Sequence, residues 1–320
     1  MNQLYKEQYI VSMVNSGLCN RMKNLLTILR LSEKHSLVPI LYWLNNNAVQ
    51  CEFHDLFKNK INLISDEKQL KKIYQFEDWR EFRYIPKKMP QVKYILLNSW
   101  RLLISPGDVQ NNFSDVLPGA YGNEIDFEYH RIPEKIKNDY INILIKLQPV
   151  DYIMDNVHLF QDRFTDNTVS VHVRSWADAK NRNDLIFNCQ DFFKKMDSLN
   201  KNTFFISCDS EPVLEIFQKR YGEKILYFPK KTYTGDRSSK IGIQEALIDL
   251  YLLSKNNRII TTYLSSFSEM AWWLGLCKAK IDVVGSSPRF RRTLMQTDRR
   301  KNLFLTLKNI FYKKYLNLKN

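Results

Sequence analysis

Three segments of the chain set charged or hydroxylated side chains directly behind short apolar runs, and a fourth adds a basic stretch. The first is Asn15-Ser16-Gly17-Leu18-Cys19-Asn20-Arg21. Here Gly17 permits a close backbone approach, the start of the helix that follows favours an anion, and Arg21 supplies a fork of donors. A tight turn carrying a surface arginine is the plainer account of the same residues. The second segment is Ser170-Val171-His172-Val173-Arg174. A cation emerging where a buried strand stops is placed to meet phosphate oxygens, and the bidentate guanidinium of Arg174 suits a leaving diphosphate better than a lysine. The alternative is an arginine satisfied by Asp178 or Asp184, with His172 as a hydrogen-bonded strand residue.

The third segment holds Asp249 among apolar helix positions (Ala246 to Ser254), then Ser265 and Ser266 behind the run Ile259 to Leu264. A carboxylate in such surroundings needs a partner. Two N–H donors on a guanine edge would serve, as would a hydrogen bond within the protein. Hydroxyls at a strand-to-helix turn, with the first amides of the helix, hold phosphate or simply cap the helix. The fourth segment, Lys230 to Lys240, follows another strand and contains Arg237, which would reach phosphate if the loop folds over a ligand; a basic surface loop is the competing reading.

Positioning these groups requires strands whose carboxyl ends lie along one edge. Tyr9 to Val14 reads as a buried strand, followed by the Asn15 to Arg21 turn, a helix through Leu25, Leu26, Leu29 and His35, and a strand from Pro39 to Leu44. This β-loop-α-β opening is the unit of parallel sheets. Further strands are expected at Ile61 to Ile64 and Tyr94 to Leu97, whereas Gln75 to Met89 and Arg101 to His130 mix aromatics with turn residues and give no clear pattern. Helices are expected over Pro133 to Leu147 and Val150 to Phe164. Strands at 169–173, 204–208, 225–228, 258–263 and 280–284 then alternate with helices at 191–198, 211–221, 242–254 and 266–276, the pattern of a doubly wound parallel sheet. The chain therefore divides into an α/β half over 1–165, a second α/β half over 166–288, and a tail over 289–320.

The net charge of +14 is unevenly spread, because ten Lys or Arg against the single Asp298 give the tail from Arg289 onward +9 of it. A nucleic-acid track running through the chain is not expected, nor is a helix-turn-helix or a basic-aromatic strand pattern present. The tail interleaves Leu303, Phe304, Leu307, Ile310, Phe311, Tyr315 and Leu318 with lysines, which fits a helix lying on an anionic membrane or packing back on the first half. Five scattered cysteines lack the spacing of a zinc site or redox motif, and no apolar stretch approaches the roughly 20 residues of a membrane span. A cytoplasmic protein with reduced thiols, peripheral at most at the inner face of the membrane, is expected.

The four motifs Gly17-Leu18-Cys19-Asn20-Arg21, His172-Val173-Arg174, Asp249-Leu250-Tyr251-Leu252-Leu253-Ser254 and Thr262-Tyr263-Leu264-Ser265-Ser266 together resemble the fucosyltransferase superfamily of α1,6-, Nod-factor and protein O-fucosyltransferases. The resemblance spans about 10–285. It implies a GT-B fold, two Rossmann-like domains facing each other across a cleft. It also implies GDP-fucose as donor, inversion at the anomeric carbon, no cofactor and no metal. On the same grounds the first half is the acceptor side and the second binds the nucleotide sugar, Arg174 meets the donor diphosphate, His172 and Asp249 lie near the nucleoside, Ser265 and Ser266 sit at the phosphates, and Gly17, Asn20 and Arg21 complete the donor site, while Arg237 is a donor-site candidate from the basic loop alone. The chain departs from the pattern where many relatives carry a second basic residue after the arginine: Ser175-Trp176-Ala177-Asp178 stands here.

In glycosyl transfer, negative charge grows on the leaving diphosphate, so preorganised cations and amides matter most. Arg174 is the first candidate for that role and Arg21 the second. A weak carboxylate base suffices for the acceptor hydroxyl, which makes Asp178 and Asp184 candidates, with solvated loop acids as the plainer reading. The acceptor is expected to be a carbohydrate met by the aromatic residues of the first half (Trp79, Tyr84, Trp100, Tyr121, Tyr129), with a place in the core as the equal alternative for these aromatics. Rival readings are a GT-B transferase using another nucleotide sugar, a basic nucleic-acid-binding protein, and a silent carbohydrate-binding or membrane scaffold.

Overall fold

A computed structural model of the chain describes residues 6–76, 78–82, 91–98, 134–174, 189–231, 239–262 and 265–284. Asp178, Asp184, Arg237, Tyr84, Trp100, Tyr121, Tyr129 and the tail 289–320 lie outside the described residues.

The first half runs β1 (Tyr9–Ser12), α1 (Leu18–His35), β2 (Val38–Tyr42), β3 (Asn62–Ile64), α2 (Glu67–Tyr74), β4 (Trp79–Phe82), β5 (Tyr94–Leu97) and α3 (Glu134–Leu144). After α4 (Asp151–Gln161) come β6 (Thr168–Val173), α5 (Cys189–Asp197), β7 (Thr203–Cys208), α6 (Glu211–Tyr221), β8 (Ile225–Leu226), α7 (Lys240–Leu253), β9 (Arg258–Thr262), α8 (Ser266–Leu274) and β10 (Lys280–Val284). The strands form two five-stranded sheets, ordered β3-β2-β1-β5-β4 and β10-β9-β6-β7-β8. Every described pairing within them is parallel.

Burial explains why these stretches are strands. All six residues of β6, Thr-Val-Ser-Val-His-Val, are buried, as a central strand covered on both faces must be. In α7 the buried positions run round the helix, and it packs against α4, α8 and β7; a helix apolar on all sides belongs in an interior. Serine side chains cap two of the helices that follow strands of the second sheet. Ser239 accepts from the Gly242 N–H at α7, and Ser265 accepts from the Ser268 N–H at α8.

One apolar cluster passes through both halves, joining Leu25 and Leu26 of α1, Ile143 of α3, Leu247 and Ile248 of α7, and Met270 and Trp272 of α8. A second cluster, with Val171, Phe192 and Phe217, covers the opposite face of the second sheet, and a third, with Val11, Leu70 and Leu96, that of the first. The interface between the sheets is thus a layer of helices. Helix α4 precedes the second sheet in sequence but packs on α7.

Several elements differ from the sequence expectation, four of them in ways that bear on the sheets. Strand β1 stops at Ser12 rather than Val14, which gives the loop before α1 two further residues. Strand β8 has two residues, because it is an edge strand bonded only at Ile225 and Leu226 and Pro229 lacks the N–H to extend a ladder. Strand β4 falls in the stretch without a readable pattern, and helix α2, just before it, has no counterpart in the sequence expectation. Of β4, Arg80 and Glu81 are exposed, so the strand has no apolar run to advertise it. No helix among the described residues is long and apolar enough to cross a membrane.

Candidate active site

In the second sheet the chain winds from β6 outward through β7 and β8, then returns to β9 on the other side of β6. The strand order reverses between β6 and β9, and ligands of such sheets bind outside the carboxyl ends at that crevice. Arg174, one residue past β6, and Ser265, three past β9, stand on its two sides.

Arg174 is held from both directions. Its backbone N–H donates to Thr262 Oγ1 at 2.9 Å, and Nη1 lies 2.5 Å from Asp209 Oδ2 beyond the end of β7. The guanidinium is 23% exposed and the carboxylate 16%, so the pair sits at the lip of the sheet, in reach of a ligand. The expected internal partners, Asp178 and Asp184, lie outside the described residues. Asp209 is the partner the structure provides, and sequence reasoning passed it over. The rule that directed attention to loops after strands applies equally to Phe204-Phe205-Ile206-Ser207-Cys208-Asp209.

His172 is buried beneath this lip. Its Nδ1 is 2.6 Å from Ser268 Oγ and 3.4 Å from Ser265 Oγ, and its ring stacks on Phe267 at 4.9 Å. Burial pushes the imidazole down from 6.5 to about 3, with Arg174 and Lys230 adding to the effect and Asp209 opposing it. His172 is therefore neutral at physiological pH. Ser268 also bonds the Thr261 hydroxyl, so a chain of hydroxyls fixes the ring between β6, β9 and α8. Ser266, half-buried, is the first residue of α8.

Asp249 is 1% exposed on the face of α7 toward β7, and it has protein partners. Ser207 Oγ donates to its Oδ2 at 2.7 Å, and Lys230 Nζ lies 2.5 Å from the same oxygen. Burial pushes its carboxyl up, while Lys230 and Ser207 pull it back. Oδ1 is buried with no hydrogen-bond partner among the described residues. Lys230 Nζ also donates to the Cys208 carbonyl at 2.9 Å, which aligns it along the same edge as Arg174. The neighbouring Glu245, 2% exposed, accepts the Lys231 N–H at 2.7 Å. Buried acids in α7 thus anchor the strand-end segment that leads into the basic loop.

The first half presents a different picture. Gly17 is the N-cap of α1 with φ −58° and ψ 161°, values open to any residue, so the turn itself does not demand glycine. Arg21 is fully buried. Its Nε donates to the Ser16 carbonyl at 2.8 Å, Nη1 to that of Leu44 at 2.5 Å, and Nη2 to the Asn15 carbonyl at 3.3 Å and to Asn46 Oδ1 at 2.7 Å. The guanidinium lies over the Trp43 ring at 5.0 Å, and burial lowers it to about 10. In this position it braces the loop after β1 and does not extend toward a ligand, in contrast to the charge-stabilising role expected for it. Asn20 Oδ1, Asn15 Oδ1 and the hydroxyls of Ser12 and Ser16 are buried without hydrogen-bond partners among the described residues.

His172, Arg174, Ser265 and Ser266 thus gather in one crevice, Asp249 reaches its edge through Lys230, and Gly17, Asn20 and Arg21 belong to the opposite half. Among the described residues no group of three His, Cys, Asp or Glu is arranged to hold a metal ion. No family profile matches the sequence, and no curated protein does. Among solved structures, the chain is similar to the NodZ α-1,6-fucosyltransferase soaked with GDP-fucose, at 15% identity over 84% of this chain and 93% of that one, with a TM-score of 0.54. Fucosyltransferase NodZ from Bradyrhizobium gives 15%, 83%, 92% and 0.52. A mutant of FUT1 from Arabidopsis thaliana in complex with GDP gives 14%, 88%, 71% and 0.54. At these identities the likeness establishes the fold, the GT-B arrangement of two parallel-sheet halves.

Proposed function

We propose that this chain is an inverting glycosyltransferase that moves fucose from GDP-fucose to a carbohydrate acceptor. The observation that carries the reading is Arg174, at the tip of the central strand, paired to Asp209 yet open to the crevice. Support for the donor comes from two of the neighbouring structures, one soaked with GDP-fucose and one in complex with GDP.

In this mechanism the diphosphate displaces Asp209 as the partner of Arg174. As the bond from the anomeric carbon to the phosphate oxygen breaks, charge grows on the leaving group, and a preorganised guanidinium stabilises it more than it stabilises the intact donor. Lys230 supplies the second positive charge that Ser175 does not. The hydroxyls of Ser265 and Ser266 and the first amides of α8 hold phosphate oxygens. Neutral His172, oriented through Nδ1, offers its other nitrogen to the nucleoside. Asp249 aligns Lys230 beside the nucleoside. From the opposite half, Asn20 and the Gly17 backbone close on the sugar, with Arg21 bracing their loop. Arg237 approaches the phosphates from the basic loop. The acceptor hydroxyl attacks the face opposite the leaving group and gives its proton to Asp178 or Asp184.

Because side-chain cations neutralise the diphosphate, turnover should persist in EDTA. GDP should raise the melting temperature while UDP at the same concentration does not; equal stabilisation by both would remove the guanine assignment. The basic tail 289–320 is proposed to rest on anionic membrane, and truncation before Asp298 should then reduce partitioning onto anionic vesicles. Unchanged partitioning would discard that part.

A further inference from the structure

The two halves are joined by an ion pair closed off from water. Lys23, in the second turn of α1, and Glu269, in the first turn of α8, are 0% and 1% exposed, with Nζ 2.6 Å from Oε2. They lie 246 positions apart in sequence. Their chain neighbours Met22, Met270 and Ala271 belong to the apolar cluster that passes through both halves.

Stability alone does not account for such a pair. Withdrawing two charges from water costs several kcal/mol per ion, and apolar residues of similar volume often hold an interface equally well or better. What the pair adds is register, because an ammonium and a carboxylate in hydrogen-bond contact accept one separation, whereas apolar helix faces can slide. Its location gives that register a use. Helix α1 begins at the Gly17 loop and α8 at Ser265. At 1.5 Å rise per residue, Lys23 lies about 9 Å along α1 from Gly17 and Glu269 about 6 Å along α8 from Ser265. A shift between the helices would therefore move one loop of the crevice against the other. A second polar link between the halves is less suited to this task. Lys240 pairs with Asp55 at 2.6 Å, with the lysine 58% exposed, and exposed pairs contribute little.

We infer that Lys23 and Glu269 are positioning residues for transfer, fixing the Gly17 turn and Asn20 at the start of α1 in the first half against the His172, Arg174 and Ser265 cluster of the second. The inference rests on the proposed function for its meaning, but its physical content, a fixed spacing of the halves, can be read without catalysis. The test is Lys23→Met/Glu269→Met, which removes both charges and preserves volume. Its melting temperature should equal or exceed that of the parent, and the shift induced by GDP should be unchanged, because the proposed phosphate and base contacts lie on the second half. Its kcat for fucose transfer should fall about 10-fold or more, and small-angle scattering should show a broader distribution of distances between the halves. Exchanging the charges (Lys23→Glu/Glu269→Lys) should restore part of kcat, which a merely structural role would not produce. If the double methionine variant fails to fold, Glu269→Gln, which keeps an acceptor for Lys23, should fold and show an intermediate kcat. Parental kcat together with parental scattering in whichever variant folds would overturn the inference. A parent that neither turns over GDP-fucose nor responds to GDP would instead overturn the proposed function, while the scattering comparison would still decide the pair's role in spacing.

Discussion

Each sheet has a central strand, and each central strand is followed by an arginine that the sequence presents as a phosphate ligand. The structure treats the two in opposite ways. Arg21 is buried, with four hydrogen bonds to carbonyl and amide oxygens of the loops it ties together. Arg174 has a carboxylate partner at the lip of its sheet and stays open to solvent on one side. Neutral carbonyls satisfy a guanidinium without competing for it, so they fix it permanently. A carboxylate partner holds a guanidinium in place until a more highly charged anion exchanges with it. The same residue type at similar points in two related halves is therefore a brace in one and a candidate for chemistry in the other.

That contrast predicts opposite mutational signatures. Arg21→Ala should destabilise by roughly 3–5 kcal/mol, since it leaves several buried acceptors unpaired and opens a cavity; a denaturant melt within 1 kcal/mol of the parent would make Arg21 the more mobile of the two. Lys230→Met leaves Asp249 buried without its counter-ion and should cost about 3 kcal/mol. Adding Asp249→Leu should recover much of that loss, and a double variant no more stable than the single would show that Asp249 is not held as an ion.

His172 sharpens the comparison through pH. Its folded value lies near 3, below the ordinary 6.5, so between those limits the unfolded chain binds a proton that the folded chain refuses. This group therefore makes stability fall as pH drops from about 6.5 toward 3, by up to about 1.4 kcal/mol per pH unit, and adds no slope above that window. His172→Asn should flatten the dependence by one proton. Parallel pH profiles for parent and variant would mean the imidazole takes up its proton in the folded state. The smallest effect is expected at Gly17. Its backbone angles suit any residue, so Gly17→Ala should change stability by less than about 0.5 kcal/mol and raise KM for donor only if the backbone touches it.

Much of this site was legible in the sequence because parallel sheets confine chemistry to the carboxyl ends of their strands. His172, Arg174, Ser265 and Ser266 could be picked from that rule and the apolar runs alone. Ion-pair partners were not legible. Asp209 and Lys230 sit 35 and 56 positions from Arg174, and only the strand order brings the three to one edge. Arg21 was misread for a related reason, since its acceptors at Leu44 and Asn46 follow a neighbouring strand and their approach depends on packing. Strand β4 escaped because an edge strand with an exposed polar face carries no hydrophobic period, whereas helix α2 carried a signal that was passed over, Leu70 and Ile73 at helical spacing behind the Asp66 cap.

The account stands on Arg174 neutralising a departing diphosphate, and the most direct test is GDP-fucose turnover by Arg174→Ala beside the parent. Arg174 is 23% exposed and Asp209 16%, so the variant should keep its fold with a loss of no more than about 3 kcal/mol from the carboxylate left without its partner. Turnover should fall on the order of 100-fold or more, about 2.7 kcal/mol of transition-state stabilisation. A folded Arg174→Ala protein that releases fucose at the parental rate would contradict it.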